Sequence, residues 1–247
     1  SWNATVPSAA ELGIVGLWHF NGSGSIGNLA VIADSSVKKY NGTASNVGGT
    51  GMAYQAGLAA LNQAINFDGV DDAVTVGNIG TGIKTVEFWI YSNANGPVLE
   101  LSVTTSISVA VNAISLTGFG TPTTYVNGSA GSALTLNEWN HVVVVDTTGV
   151  SASAVNFGKV GAGYRTGPLD EVAIYNRVLT TTEITNHYNT GIGKELAPKA
   201  LSIQLAASGC STGEDVALNP SCNGTHASNG WNGVGDTGYV GYDGTAN

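Results

Sequence analysis

Leu169-Asp170-Glu171-Val172-Ala173-Ile174-Tyr175-Asn176-Arg177-Val178-Leu179-Thr180-Thr181-Thr182-Glu183-Ile184-Thr185-Asn186-His187-Tyr188 changes its period halfway along. Val172 and Ile174 alternate with Ala173 and Tyr175, the period of two expected of a strand, and from Thr180 the spacing becomes helical. Thr180 and Glu183 form a capping box, the hydroxyl accepting from the Glu183 amide while the carboxylate reaches back to the Thr180 amide. Leu179 before the cap is spaced to touch Ile184, and Ile184 and Tyr188 lie one turn apart on a face suited to a sheet. Asn189 and Gly191 predict the helix end.

Outward from this stretch the chain reads as short strands separated by Gly, Asn and Pro. Strands are expected at residues 14–20, 43–47, 64–67, 73–76, 84–92, 98–103, 107–116, 123–126, 138–145 and 152–157. Residues 48–57 read as too glycine-rich for regular structure. The cleanest alternation is at 84–92, with Val86, Phe88 and Ile90 on a core face and Glu87, Trp89 and Tyr91 on a second, half-covered face. Asp68-Gly69 reads as a turn pair, because glycine takes positive φ without a Cβ clash. Such spacing predicts an all-β chain folded as a two-sheet antiparallel β-sandwich, with one short helix near residues 181–188.

Four motifs occur in order: Gly16-Leu17-Trp18-His19-Phe20 with Asp34-Ser35-Ser36, Ile65-Asn66-Phe67-Asp68-Gly69-Val70-Asp71-Asp72, Trp139-Asn140-His141-Val142-Val143, and the opening stretch itself. Together they resemble laminin-G-like, concanavalin A-like jelly-roll modules of secreted and surface proteins. The resemblance covers residues 14–193 and implies the fold more firmly than any function, because that fold serves adhesion, glycan binding, catalysis and scaffolding. It also implies one structural Ca2+ between the first polar loop and the last strand, with Asp34, Asn41 and Asp170 as the oxygen ligands. Asp71 and Asp72 form a second acidic candidate. Against each stands a simpler role as turn or cap residue.

Residues 1–13 read as an N-terminal arm. Residues 194–247 read as an extension with one strand at 200–206 and too few apolar residues for a core of its own. Cys210 and Cys222 close a short loop that suits a disulfide in an oxidising compartment. Trp231, Tyr239 and Tyr242 are the aromatic candidates for ligand binding outside the core, though pinning the tail to the sandwich is the simpler role. The candidate N-glycosylation sites are Asn3, Asn21, Asn41, Asn127 and Asn223, about the number that this much Asn, Ser and Thr produces by chance.

Eight Lys and Arg against 17 Asp and Glu leave a net charge of -9, so there is no basic stripe for a phosphate backbone. No apolar run reaches the roughly 18 residues that cross a bilayer. Nucleic acid and membrane insertion are therefore not expected. Glycan hydrolysis needs two carboxylates flanking a bond, and Glu87, Glu100 and Glu138 stand singly, while Asp170 and Glu171 on a regular strand would face opposite ways. His19, His141, His187 and His226 are dispersed, with His19 and His141 expected as packed or hydrogen-bonded structural residues. The chain is thus expected to be a non-catalytic extracellular or cell-surface module that binds glycan or a surface protein. A structural subunit, polymerising with copies of itself through terminal strands, is the alternative. A glycan-active enzyme comes third.

Overall fold

The computed structural model describes residues 13–46, 51–59 and 61–191. In chain order the strands are β1 Ile14–Trp18, β2 Val31–Ile32, β3 Gly42–Ser45, β4 Ala53–Ala56, β5 Gln63–Asp68 and β6 Ala73–Gly77. Next come β7 Gly80–Tyr91, β8 Gly96–Ser102, β9 Thr105–Ala110, β10 Ala113–Thr117, β11 Pro122–Val126 and β12 Ser129–Ala130. β13 Trp139–Ala152, β14 Val155–Phe157, β15 Lys159–Val160, β16 Gly163–Tyr164 and β17 Thr166–Tyr175 lead to one helix, α1 Thr181–Gly191. One sheet runs β12-β11-β13-β7-β17-β5-β4 with β1 also paired to β17, the other β10-β9-β8-β14-β6-β3-β2, and β15 pairs only with β16. The two large sheets are antiparallel and form the expected β-sandwich.

Alternation places the core. Val86, Phe88 and Ile90 of β7 and Val142 and Val144 of β13 face inward, against Val74, Leu101, Ile107 and Phe157 of the second sheet. Trp18 meets Phe157 edge-on with centroids 4.9 Å apart, and Phe20 meets it at 6.0 Å. Each such fully buried side chain contributes roughly 1.5–3 kcal/mol relative to exposure. The opposite face of β7, β13 and β17 is also covered. There Val143, Val145, Ala173 and Tyr175 form a second apolar cluster with Leu179 and Ile184, so α1 lies on the outer face of the larger sheet.

The helix starts as its capping chemistry dictates. Glu183 N donates to Thr180 Oγ1 at 3.3 Å, Thr180 N donates to Glu183 Oε2 at 2.8 Å, and Ile184 N donates to the Thr180 carbonyl. A cap of this kind is worth about 1 kcal/mol. Arg177 adds a salt bridge to Glu183 at 2.8 Å, which fixes the entry to the helix.

Four expectations need correction. Residues 107–116 are a hairpin, β9 and β10, whose two-residue turn is Val111 (φ 49°) and Asn112 (φ 59°). A valine at positive φ is costly and carries no turn signal, so the apolar run hid the turn. Residues 53–56 form a strand through backbone pairing with β5 despite the glycines around them. β13 runs on to Ala152 past Asp146, whose carboxylate accepts from the amides of Gly120, Thr121, Thr148 and Gly149 and so stabilises an irregularity that reads as a strand end. Finally, β17 is not regular at Asp170 and Glu171. Asp170 pairs with Trp89 and Ala173 with Glu87, so two residues oppose the single Phe88, and Glu171 takes φ 47°. This β-bulge re-aims Glu171.

Candidate functional site

The bulge sits at a seam. On the side of β17 away from β7, β1 pairs with its C-terminal half and β5 with its N-terminal half, ending at Trp18↔Val172 and Leu169↔Ile65. Asp170 and Glu171 fall between those two ladders. Across the outer face, Asp170, Trp89 and His141 form one row and Ala173, Glu87 and Val143 the next. α1 brings His187 and Tyr188 over these rows, with Tyr188 stacked on Trp89 at 6.0 Å and on His141 at 6.2 Å.

Glu87 is the hub. It accepts from His141 Nε2 at 2.6 Å, from His187 Nδ1 at 2.9 and 3.0 Å, and from the Tyr175 hydroxyl at 3.0 Å. Since an ionised carboxylate only accepts, those ring nitrogens carry the protons. Burial pushes Glu87 up, but the hydrogen bonds and charges of His141 and His187 outweigh it and hold the carboxyl at about 2. Burial opposes charging His187, yet the bond and charge of Glu87 raise its pKa above the ordinary value. Burial, with the Glu87 charge, pushes the Tyr175 hydroxyl well above its ordinary range. A carboxylate clasped on both oxygens is a structural anchor, and here it ties the helix to the sheet.

Beside this hub lies a cavity of about 210 Å3. The sheet contributes Leu17, Trp89 and Ala173 as apolar wall and Glu87, Tyr175 and Glu171 as polar wall; Leu61, His187, Thr190 and Gly191 close the other side. Gly191 is required there, because a Cβ would stand 2.2 Å from the Trp89 ring. Glu171 is paired with His19 at 2.7 Å, and that hydrogen bond, the largest influence on His19, raises its pKa.

The three residues expected to hold Ca2+ occupy two settings. Asp34 accepts from Leu17 N and Ser36 N on one oxygen and from Ser36 Oγ and Tyr40 N on the other, and Asn41 Oδ1 accepts from Asp34 N. These four donors take up the lone pairs of the Asp34 carboxylate, which anchors the loop to β1. Asp170 is fully buried, with Oδ1 accepting from Glu171 N and Oδ2 meeting no donor. Burial first, then the Glu171 charge, pushes its pKa up to about 8. Both Asp170 and Glu171 lie toward the outer face, a correction to their expected opposite orientation that follows from the bulge.

A different acidic group does converge. Ligand oxygens of Asp68, Asp71 and Asp72 lie within 4.8 Å of one another in the β5–β6 turn. Burial, then the Asp68 and Asp71 charges, raises Asp72 to about 6.

Of the candidate sequons, Asn127 spends its amide on the fold: Nδ2 donates to Asn140 and Oδ1 accepts from His141 N. Asn21 accepts from Gln63 N, and Asn41 is exposed. Asn3, Asn223, Cys210, Cys222, Trp231, Tyr239 and Tyr242 lie outside the described residues, as do residues 1–12 of the 1–13 arm and the whole extension at 194–247. In the sequence Glu87 reads as a lone carboxylate on a half-covered strand face, and His187 has no assigned role. The available signal was pairwise: Glu87 on the non-core face of 84–92, His141 on a neighbouring strand, and His187 three residues after the apolar Ile184.

No protein-family model matches the chain, and no curated protein matches it. Among solved structures, it is similar to domain 4 of AbnA, a GH43 extracellular arabinanase from Geobacillus stearothermophilus in complex with arabinotriose. That match has TM-score 0.49 and 14% identity over 70% of this chain and 97% of that domain. It is also similar to Trypanosoma rangeli sialidase (0.47, 13%, 71% of this chain and 32% of that one). A third is the binding domain of Paraclostridial Mosquitocidal Protein 1 (0.46, 14%, 73% and 52%). The chain spans about a third of the sialidase and about half of that binding domain.

Proposed function

We propose that the chain is a non-catalytic, extracellular or cell-surface binding module that takes one ring of a neutral glycan in the pocket beneath α1. The observation that carries this reading is the pocket itself, where an apolar wall at Trp89, Leu17 and Leu61 faces polar groups at Glu171 and Thr190. At about 210 Å3 it is smaller than the roughly 300–1,000 Å3 of sites for drug-sized ligands, so it suits a single small unit. Among the described residues no Lys or Arg lines it while Glu87 and Glu171 do, which disfavours anionic sugars.

The non-catalytic part rests on the carboxylates. Glu87 is ionised and fully engaged, and Asp170 and Glu171 are adjacent on one strand, so they do not stand on two sides of a glycosidic bond. Extracellular placement rests on the low charge and the cysteine pair. Among the described residues no helix is long and apolar enough to cross a membrane. Among the described sheet edges, β2 and β12 have only two residues each, while β10 and β4 have five and four; polymerisation through terminal strands is the second reading.

A panel of neutral and sialylated glycans probed with the intact chain tests the reading. Neutral glycans should be retained and sialylated ones not. Glu171→Gln should weaken binding roughly tenfold or more, as expected for loss of a charged hydrogen-bond acceptor, without lowering the melting temperature by more than a few degrees. No retention across the panel, or equal affinity in Glu171→Gln, would contradict it.

A further inference from the structure

The turn that joins β5 to β6 is built around carboxylates. Asp68 Oδ1 accepts from Val70 N and Asp72 Oδ2 accepts from Asp68 N, closing the turn on itself. Gly69 sits at φ 88°, where a Cβ would collide with Thr166 Oγ1, and Gly51 passes so close that its Cβ would overlap the Asp68 carboxylate. These contacts hold the turn in place but leave Asp72 Oδ1 buried with no donor, on a side chain that is 0% exposed. An ionised oxygen in that position, beside two other acids, is costly without a proton or a cation.

A second oxygen is in the same condition. Asn46 is 1% exposed, and its Oδ1 also meets no donor. Its Nδ2 donates to the Ile26 carbonyl at 2.9 Å, which settles the amide orientation and leaves the oxygen as the unmet end. The β3–β6 ladder ends at Ser45↔Ala73, so Asn46 and Asp72 are the residues that continue the two strands past their last pair. By strand alternation both belong to the face that carries Ala44 and Val74 into the core.

We propose that Asp68, Asp71 and Asp72, with the Asn46 amide oxygen, form a binding site for a hard divalent cation, Ca2+ in the first instance. Three carboxylates and an amide carbonyl are the oxygen donors that such an ion takes. The spacing of the three carboxylates, within 4.8 Å of one another, fits inside a Ca2+ shell, whose opposite oxygens stand about twice the roughly 2.3–2.6 Å Ca–O distance apart. The site belongs to the end of the sandwich where β3 ends and β6 begins, is distinct from the pocket beneath α1, and would tie the β5–β6 turn to the end of β3.

Calorimetry of the intact, EDTA-dialysed chain with CaCl2 tests this. Calcium should raise the melting temperature by several degrees, and Asp71→Asn, a half-exposed position, should abolish at least one bound ion per chain and most of that rise. Asp170→Asn should keep both. Asp72→Asn should melt no lower than the parent in calcium-free buffer, because the unmet buried charge is gone, and should also lose the response. No calcium-induced rise in the intact chain, or a rise and stoichiometry unchanged in Asp71→Asn, overturns the proposal.

Discussion

Glu87→Ala should cost about 3–5 kcal/mol of stability in urea or thermal unfolding, the expected penalty for removing one partner of a buried ionic cluster. The substitution leaves His141, His187 and the Tyr175 hydroxyl without their common acceptor and loosens α1 from the outer face. Glu87→Gln keeps the shape but loses the charge, so the pKa of His187 should fall toward its ordinary value, measurable by NMR titration. The pH dependence has a definite sign. Glu87 is depressed from 4.5 to about 2, so its contribution is complete above pH 4.5 and is lost as pH falls toward 2. His187 is raised above 6.5, so its contribution is complete below 6.5 and is lost as pH rises through the folded value. Asp72 and Asp170, raised from 3.8 to about 6 and about 8, favour the protonated folded state, so their contribution is complete below 3.8 and is lost as pH rises from there through about 6 and about 8. In cation-free buffer stability should therefore peak at about pH 4, where the gain from Glu87 meets the onset of the losses from Asp72 and Asp170, and decline from about pH 4.5 toward pH 8. A profile flat from pH 4 to 8 would contradict this, as would a Glu87→Ala variant within about 1 kcal/mol of the parent.

Phe157→Ala should be comparably damaging, at about 3–5 kcal/mol. Phe157 is fully buried between the sheets and is the ring on which both Trp18 and Phe20 pack edge-on. Truncation removes both aromatic contacts and leaves a cavity that the paired backbones of β6, β8 and β14 resist collapsing. For a sandwich of this size the melting temperature should fall by about 10 °C or more. Phe157→Leu should recover much of the loss, and Val31→Ala on an exposed edge should change stability by less than about 0.5 kcal/mol.

The elements that follow from local chemistry were legible in the sequence. Thr180 and Glu183 form the cap, Leu179 and Ile184 join one apolar cluster, and Val86, Phe88 and Ile90 face the core because these features depend on neighbours a few residues apart. What escaped depends on pairing across the fold. The hairpin at Val111 and Asn112 uses positive φ where no glycine announces it, and the bulge at Glu171 is forced where β1 and β5 meet along one side of β17. A strand read as regular sends Asp170 and Glu171 to opposite faces, and only the register shows otherwise. Glu87 was missed as part of the candidate site for the same reason, since its partners lie 54, 88 and 100 residues away. Asp34, whose type and position suggested a cation ligand, receives four protein donors that the sequence does not display.

Whether the pocket beneath α1 is where a glycan sits is most directly tested by methyl and aromatic NMR of the intact chain titrated with the neutral saccharide it retains best. Leu17 and Leu61 methyl signals and the His187 ring should shift together and saturate with one affinity, while Val31 and Val103 on exposed surfaces stay in place. Saturable binding with Leu17 and Leu61 unmoved and the shifts confined to Trp231, Tyr239 and Tyr242 would contradict the account.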